Sequence, residues 1–516
     1  MRDILLKGLF VVLVGSSVAT ATLLGQDRLG QVHFPNSCKP EVQARFLEGV
    51  ALLQSFEFTE AEQAFSQVEK DDPQCVIAAW GMALSKTQRN GANAPQKDLA
   101  AGWAQLQPWL AMKAGTDREQ MYVNAVRALY EGYDNTSADE RGKKYHARME
   151  EIRRKHPDDI NASLFYAIAI AGGSGKEGLE HRREALAILL PIFKQYPDNP
   201  GAAHYIIHAG DTPELAPEAL PAAREYAKIA PDSPHALHMP SHIFNRLGYW
   251  KESISANQAS ARVAAEWIKT GRDGIFDELH ALNNLEYAYL QLGQKEQARE
   301  TMKRIAEIAA RPGGDPWVLI EAKIYYDVDT HDWNDALTIQ PPANSKFTDN
   351  FEIYWIQTIA AARLEHPIEA SASFEKFSRS LSEWRKSQGP SWDAAWGSVF
   401  KIASTEAESW TMFSEGKHDE AITQLKDAAQ FERDHPLYYA DVLPRPVSEM
   451  LGDMLLQMGR STEALAAYQA ALDVAPARLD SLLGAKTAAA RSENVQLSEK
   501  YAAKIRKEGG LIISRP

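Results

Sequence analysis

Leu451-Gly-Asp-Met-Leu-Leu-Gln-Met-Gly459, continued by Arg460-Ser-Thr-Glu-Ala464-Leu-Ala-Ala-Tyr468-Gln-Ala-Ala471 and closed by Pro476, decides the fold. Its apolar residues recur every three or four positions, the period of a helix face. Gly459 interrupts the pattern and Pro476 ends it, so the stretch reads as two helices joined by a tight turn. Gly452, Ala464 and Ala471 are small enough to let the helices approach closely, while Leu451, Tyr468 and Leu472 fill the seam between them. Such a pair buries one face only, and needs neighbours of its own kind to cover it.

Those neighbours are written along the chain. Gly49, Phe58, Ala61, Phe65 and Asp72-Pro73 carry the same stamp near the start, and Gly293 with Ala298 and Gly416 with Ala421 carry it later. Residues 97–132, 138–171 and 347–386 fit the helix-pair shape with stretched spacing. Alternating β-branched runs are absent, which leaves no strand signal. About ten or eleven pairs are expected from this spacing. Three prolines in 211–221 predict a loop inserted between two helices, and 340–346 predicts a second irregular break.

The small-and-large spacing resembles the tetratricopeptide repeat, over most of 40–508. The resemblance implies an all-α solenoid, a right-handed superhelix of antiparallel helix pairs with a concave inner surface. The expected division is a signal peptide at 1–21, a lead segment at 22–39, N-terminal pairs at 40–200, a histidine-rich centre at 201–312, C-terminal pairs at 313–508 and a frayed tail at 509–516.

At 516 residues the chain exceeds one compact core, in keeping with an array. Its net charge of −13, with no basic run, excludes nucleic acid as an expected partner. Arg2 and Lys7, an apolar core at 9–14 and Ala19-Thr-Ala21 read as a bacterial-type export signal, with an uncleaved anchor as the alternative. No other segment is apolar for long enough to span a membrane, and the mature chain is expected in the periplasm or outside the cell. In that compartment the only two cysteines, Cys38 and Cys75, are expected to form one disulfide, two buried thiols being the other reading.

Histidines provide the one departure from scaffold. Six of 14 lie between 204 and 280, where even scattering would place about two. His204 and His208 stand four apart, as do His238 and His242, and the pairs are 34 residues out of step, one repeat of this length. In the family resembled, the second, fifth, ninth, twelfth and thirteenth positions of each first helix line the concave wall. Counting back from Gly248 and Gly293 places His235, His238, His242, Asn245 and Arg246 there, then His280, Asn283 and Tyr287. The 34-residue shift adds His204 and His208.

Two functional readings follow. One is an exported scaffold that binds a protein or peptide through His235, Asn245, Arg246, His280, Asn283 and Tyr287. The other is a metal protein or metal-dependent enzyme in which His204, His208, His238 and His242 hold Zn, Cu, Fe or Ni, since neutral imidazole serves all four. Asp211, Asp277 and Glu278 are near enough to orient or extend that set. Against both stand ordinary core histidines, and Pro240, which threatens the helical register of the second pair. An earlier start with Ser233 as cap preserves the register. The motif His-Glu-x-x-His is absent, Tyr205 taking the glutamate's place, and the glycine-rich 172–176 lacks phosphate-loop spacing and reads as a turn.

Overall fold

Phe65 shows why the helices pair. Fully buried, it lies against Gly49 on its own partner helix and Gly81 on the next; a Cβ at either glycine would stand 3.0 or 2.5 Å from its ring. Tyr468 uses Gly452 in the same way, with 2.7 Å to a Cβ there. Small residues facing large ones set the helix spacing, and each second helix is gripped on two sides.

The computed structural model describes residues 28–87, 96–172, 175–388, 390–435 and 445–508. The signal at 1–21, the start of the lead segment, positions 173–174 of the glycine-rich turn and the tail at 509–516 lie outside the described residues. Among the described residues there are 25 α-helical segments, two short 3-10 turns and no strand, and no helix is long and apolar enough to cross a membrane. Counting Pro234–His238 and Pro240–Leu247 as one interrupted helix, the segments pair into twelve hairpins. That exceeds the expected ten or eleven because pairs such as Pro316–Thr330 with the four-residue Trp333–Ala336 leave little periodic signal. The result is an all-α solenoid. Its lead is stapled to the second hairpin by the Cys38–Cys75 disulfide.

In most of the described turns inside hairpins one residue takes the left-handed region. Gly248, Gly293, Gly416 and Gly459 supply it, with φ between 70° and 84°. Four other hairpins place Phe56, His331, Glu365 and Glu493 there instead, at φ 58° to 61°.

Three prolines behave differently from expectation. The loop foreseen over 211–221 is shorter, because the helix Ala216–Ile229 begins inside it. Pro217 occupies the first turn, where no N–H is needed, and Pro221 forgoes a single bond to the residue four before it. Pro240 ends one helix and starts the next, but Met239 between them keeps helical dihedrals, φ −52° and ψ −35°. The Met239 N–H still reaches the His235 carbonyl at 3.0 Å. Ser233 caps the start as expected, accepting from the Ala236 N–H at 3.1 Å. The second histidine pair therefore stays on one face.

The expectation that each pair touches only its neighbours is also corrected. The first hairpin leans on the middle of the chain: Gln54 Oε1 accepts from the Gly201 N–H, Glu57 accepts from Ser233 Oγ at 2.6 Å, and Glu60 from the Asp273 N–H at 3.1 Å. The C-terminal repeats do likewise. Trp250 Nε1 donates to the Ala477 carbonyl at 2.9 Å, and the buried Arg478 guanidinium bonds Glu449, Asp329 and the Tyr287 hydroxyl. Burial disfavours that cation, yet the two carboxylates hold its pKa above the usual arginine value. Helices such as Val76–Lys86 and Pro200–Gly210, apolar nearly all round, are what such a double wrap requires.

The two equivalent turns test this contact. At Gly459 a Cβ meets nothing within 4 Å, whereas at Gly248 it collides with the Pro476 carbonyl oxygen and the Ala477 side chain. Gly459→Ala is expected to cost about 1–2 kcal/mol, the backbone strain alone. Gly248→Ala is expected to cost clearly more, read from denaturant midpoints. Equal losses would mean that the 476–478 turn does not rest on this helix.

Candidate metal centre

Asn199 accepts from the Ala202 N–H at 2.9 Å and so fixes the start of Pro200–Gly210, as Ser233 does for Pro234–His238. These starts aim residues 204 and 208, then 235, 238 and 242, at the interior. The third helix of the wall, Ile275–Gln291, adds His280.

The structure sorts the six histidines into two threes. Ligating nitrogens of His204, His208 and His235 lie within 4.8 Å of one another, and so do those of His238, His242 and His280. Each three joins two residues four apart on one first helix to a residue near the start of the next. The four-histidine set expected from 204, 208, 238 and 242 is not the grouping formed. His235 stands between the pairs, its ring 5.0 Å from His204 and 6.4 Å from His238. His235 and His280, expected outside the set, complete the two triads.

Hydrogen bonds fix the protons. His204 Nδ1 lies 2.6 Å from the Gln54 carbonyl, which can only accept, so that nitrogen carries hydrogen and Nε2 turns a lone pair inward, 3.2 Å from His235 Nε2. His238 Nδ1 donates to Asn257 Oδ1 at 2.7 Å; the Asn257 amide is oriented by its donation to the Ser253 carbonyl at 3.0 Å. His242 Nδ1 donates to Asp211 Oδ2 at 3.2 Å. The inner nitrogens of His238 and His242, both Nε2, are 2.9 Å apart. With both outer nitrogens committed as donors, the inner two can share a proton or a metal ion. Tetrahedral ligands at about 2.0–2.1 Å from a metal stand about 3.3 Å apart, close to both Nε2 separations.

Asp211 is held ionised. Burial would push its carboxyl up, but the Arg246 charge and the bonds from His242 and Arg246 bring it well below the usual range. Asp277 takes another part: burial, then Asp273 and Glu60, push it up to about 7. Glu278 pairs with Arg304 at 2.8 Å. Of the remaining wall residues, Asn245 donates to Asn284 Oδ1, Asn283 to Glu321 Oε2 and Arg246 to Asp211, while Tyr287 accepts from Arg478.

Aromatic rings close over the histidines. Phe56 lies 4.4 Å from His204, 5.1 Å from His208 and 5.7 Å from His235, centroid to centroid. Tyr226 stacks on His204 at 5.2 Å, and Phe276, 69% exposed, stacks on His280 at 5.6 Å. Gln54, Phe56, Asn257 and Phe276 were beyond sequence reasoning.

A tetratricopeptide-repeat profile matches residues 279–312 and 447–478. Each match falls on a helix pair, Ile275–Gln291 with Lys295–Ala309 and Val447–Gln457 with Ser461–Val474. The chain thus carries tetratricopeptide repeats. No curated protein matches it. Among solved structures it is similar to the APC/C hetero-tetramer Cut9-Hcn1, at 10% identity over 89% of this chain and 78% of that one, TM-score 0.38. A human IFIT1 dimer with m7Gppp-AAAA matches at 12% identity over 84% and 90%, TM-score 0.36. A Rap protein complexed with competence and sporulation factor matches at 12% over 90% and 99%, TM-score 0.32.

The proton assignment is directly measurable. In metal-free protein labelled with 15N-histidine, His204 and His238 are expected as Nδ1–H forms. An Nε2–H tautomer at either position would contradict the hydrogen bonds to Gln54 and Asn257.

Proposed function

We propose that this tetratricopeptide-repeat protein is a transition-metal protein whose working centre is the two histidine triads. One observation carries the reading: the inner nitrogens of His238 and His242 stand 2.9 Å apart while Asn257 and Asp211 occupy their outer nitrogens. A shared proton would answer that pair alone. The third imidazole converging on it, and the repetition of the arrangement one repeat earlier, favour a metal ion. Three protein ligands leave a coordination position open, as in sites where the metal binds water or substrate. Such an ion would supply Lewis-acid or redox chemistry. This chain's own part is to fix the imidazole tautomers, shield the site with Phe56 and Tyr226, and hold Asp211 as a compensating anion.

Elemental analysis of dialysed protein reloaded with Zn²⁺ tests this. About two ions per chain are expected, with His204→Ala and His280→Ala each retaining about one. No bound metal in the wild type would overturn the reading, and loss of both ions in either variant would overturn the two-site form. Asn257→Ala, which frees the outer nitrogen of His238, is expected to weaken one site about 10–100-fold and leave the other unchanged.

Peptide binding on the concave face is the second reading, favoured by the partly exposed His235, Asn245, Arg246, His280 and Tyr287 along one wall. Their internal partners speak for the metal reading instead. We also infer export to the periplasm or the medium, from the signal at 1–21 and the Cys38–Cys75 disulfide. An intact mass starting at residue 22 with the disulfide kept is the expected result; a mass that includes Met1 would contradict it.

A further inference from the structure

A second site lies outside the histidine wall. Between the helices Phe351–Arg363, Pro367–Gln388 and Pro390–Ser414 is a cavity of about 250 Å³. Three of its rings brace one another: Phe351 to Trp384 at 5.3 Å, Trp384 to Phe400 at 5.3 Å and Phe351 to Phe400 at 6.0 Å. Trp355 and Trp396 extend this lining.

Two features set this cavity apart from a packing gap. Its wall holds two carboxylates, Glu321 and Glu352, amid aromatic rings. Burial pushes Glu352 up to about 7. The Trp355 side chain is 5% exposed, and its indole N–H has no hydrogen-bond partner. A buried donor left open and a desolvated carboxylate are both costly unless something meets them. Aromatic faces attract cations, and a carboxylate in the same enclosure adds to that attraction.

We propose that this cavity binds a small organic ammonium ion with an apolar body. The rings enclose the apolar part and face the positive charge, and Glu352 and Glu321 neutralise it. The Trp355 N–H remains for an oxygen on the ligand. Glu321 also accepts from Asn283, three residues after His280, which sets the cavity beside the histidine wall.

Isothermal titration of the full chain with 2-phenylethylamine and with its neutral counterpart 2-phenylethanol tests the proposal. The amine is expected to bind at least about tenfold more tightly. In Glu352→Gln that preference is expected to fall by about tenfold while the alcohol binds as before. Equal binding of amine and alcohol by the wild type, or binding of neither, would overturn the proposal, as would an unchanged preference in Glu352→Gln. The wild-type comparison decides the matter even if the variant does not fold.

Discussion

The bond from His204 Nδ1 to the Gln54 carbonyl joins the first repeat to the fifth, and the interior depends on that contact. Gln54 also holds the Gly201 N–H and Asn161 through its side chain, so one turn of the first hairpin locks onto two later helices. The next residues, Phe56 and Glu57, are thereby set against His204, His208 and His235 on one side and Ser233 on the other. In an open spiral these groups would face solvent. Here they face one another, and polar groups removed from water must find partners. The same logic closes the other end, where Arg478 is compensated by Glu449 and Asp329.

A repeat architecture makes a doubled site easy to build. Two residues four apart on one first helix, plus one near the start of the next, form a triad; the following repeat forms it again with His238, His242 and His280. The supports are not copies of each other. His204 leans on a backbone carbonyl, His238 on Asn257 and His242 on Asp211. The two sites thus have different electrostatic surroundings, with the ionised Asp211 and Arg246 beside the second.

Much of the fold was legible in the sequence because it rests on local signals. Gly452 against Tyr468 and Gly49 against Phe65 set the helix spacing, Ser233 announced a helix start, and Pro476 an end. The histidines were legible as one wall through their 34-residue step. Their grouping was not, because repeat positions give the face a residue points to and not how far it reaches across to the next helix. His235 looked peripheral for that reason. The supports were hidden for another: Gln54 lies 150 residues from His204, and Ala477 lies 227 from Trp250, and contacts across such distances leave no periodicity. The prolines at 217 and 221 misled because a proline count ignores that a first helical turn accommodates one cheaply and that a helix tolerates the loss of a single bond at another.

Anomalous diffraction from crystals of the metal-loaded chain tests the central claim most directly. The account predicts two peaks, one about 2.0–2.1 Å from nitrogens of His204, His208 and His235 and one equally near His238, His242 and His280. A single peak shared by His204, His208, His238 and His242, or no peak on this wall, would contradict it.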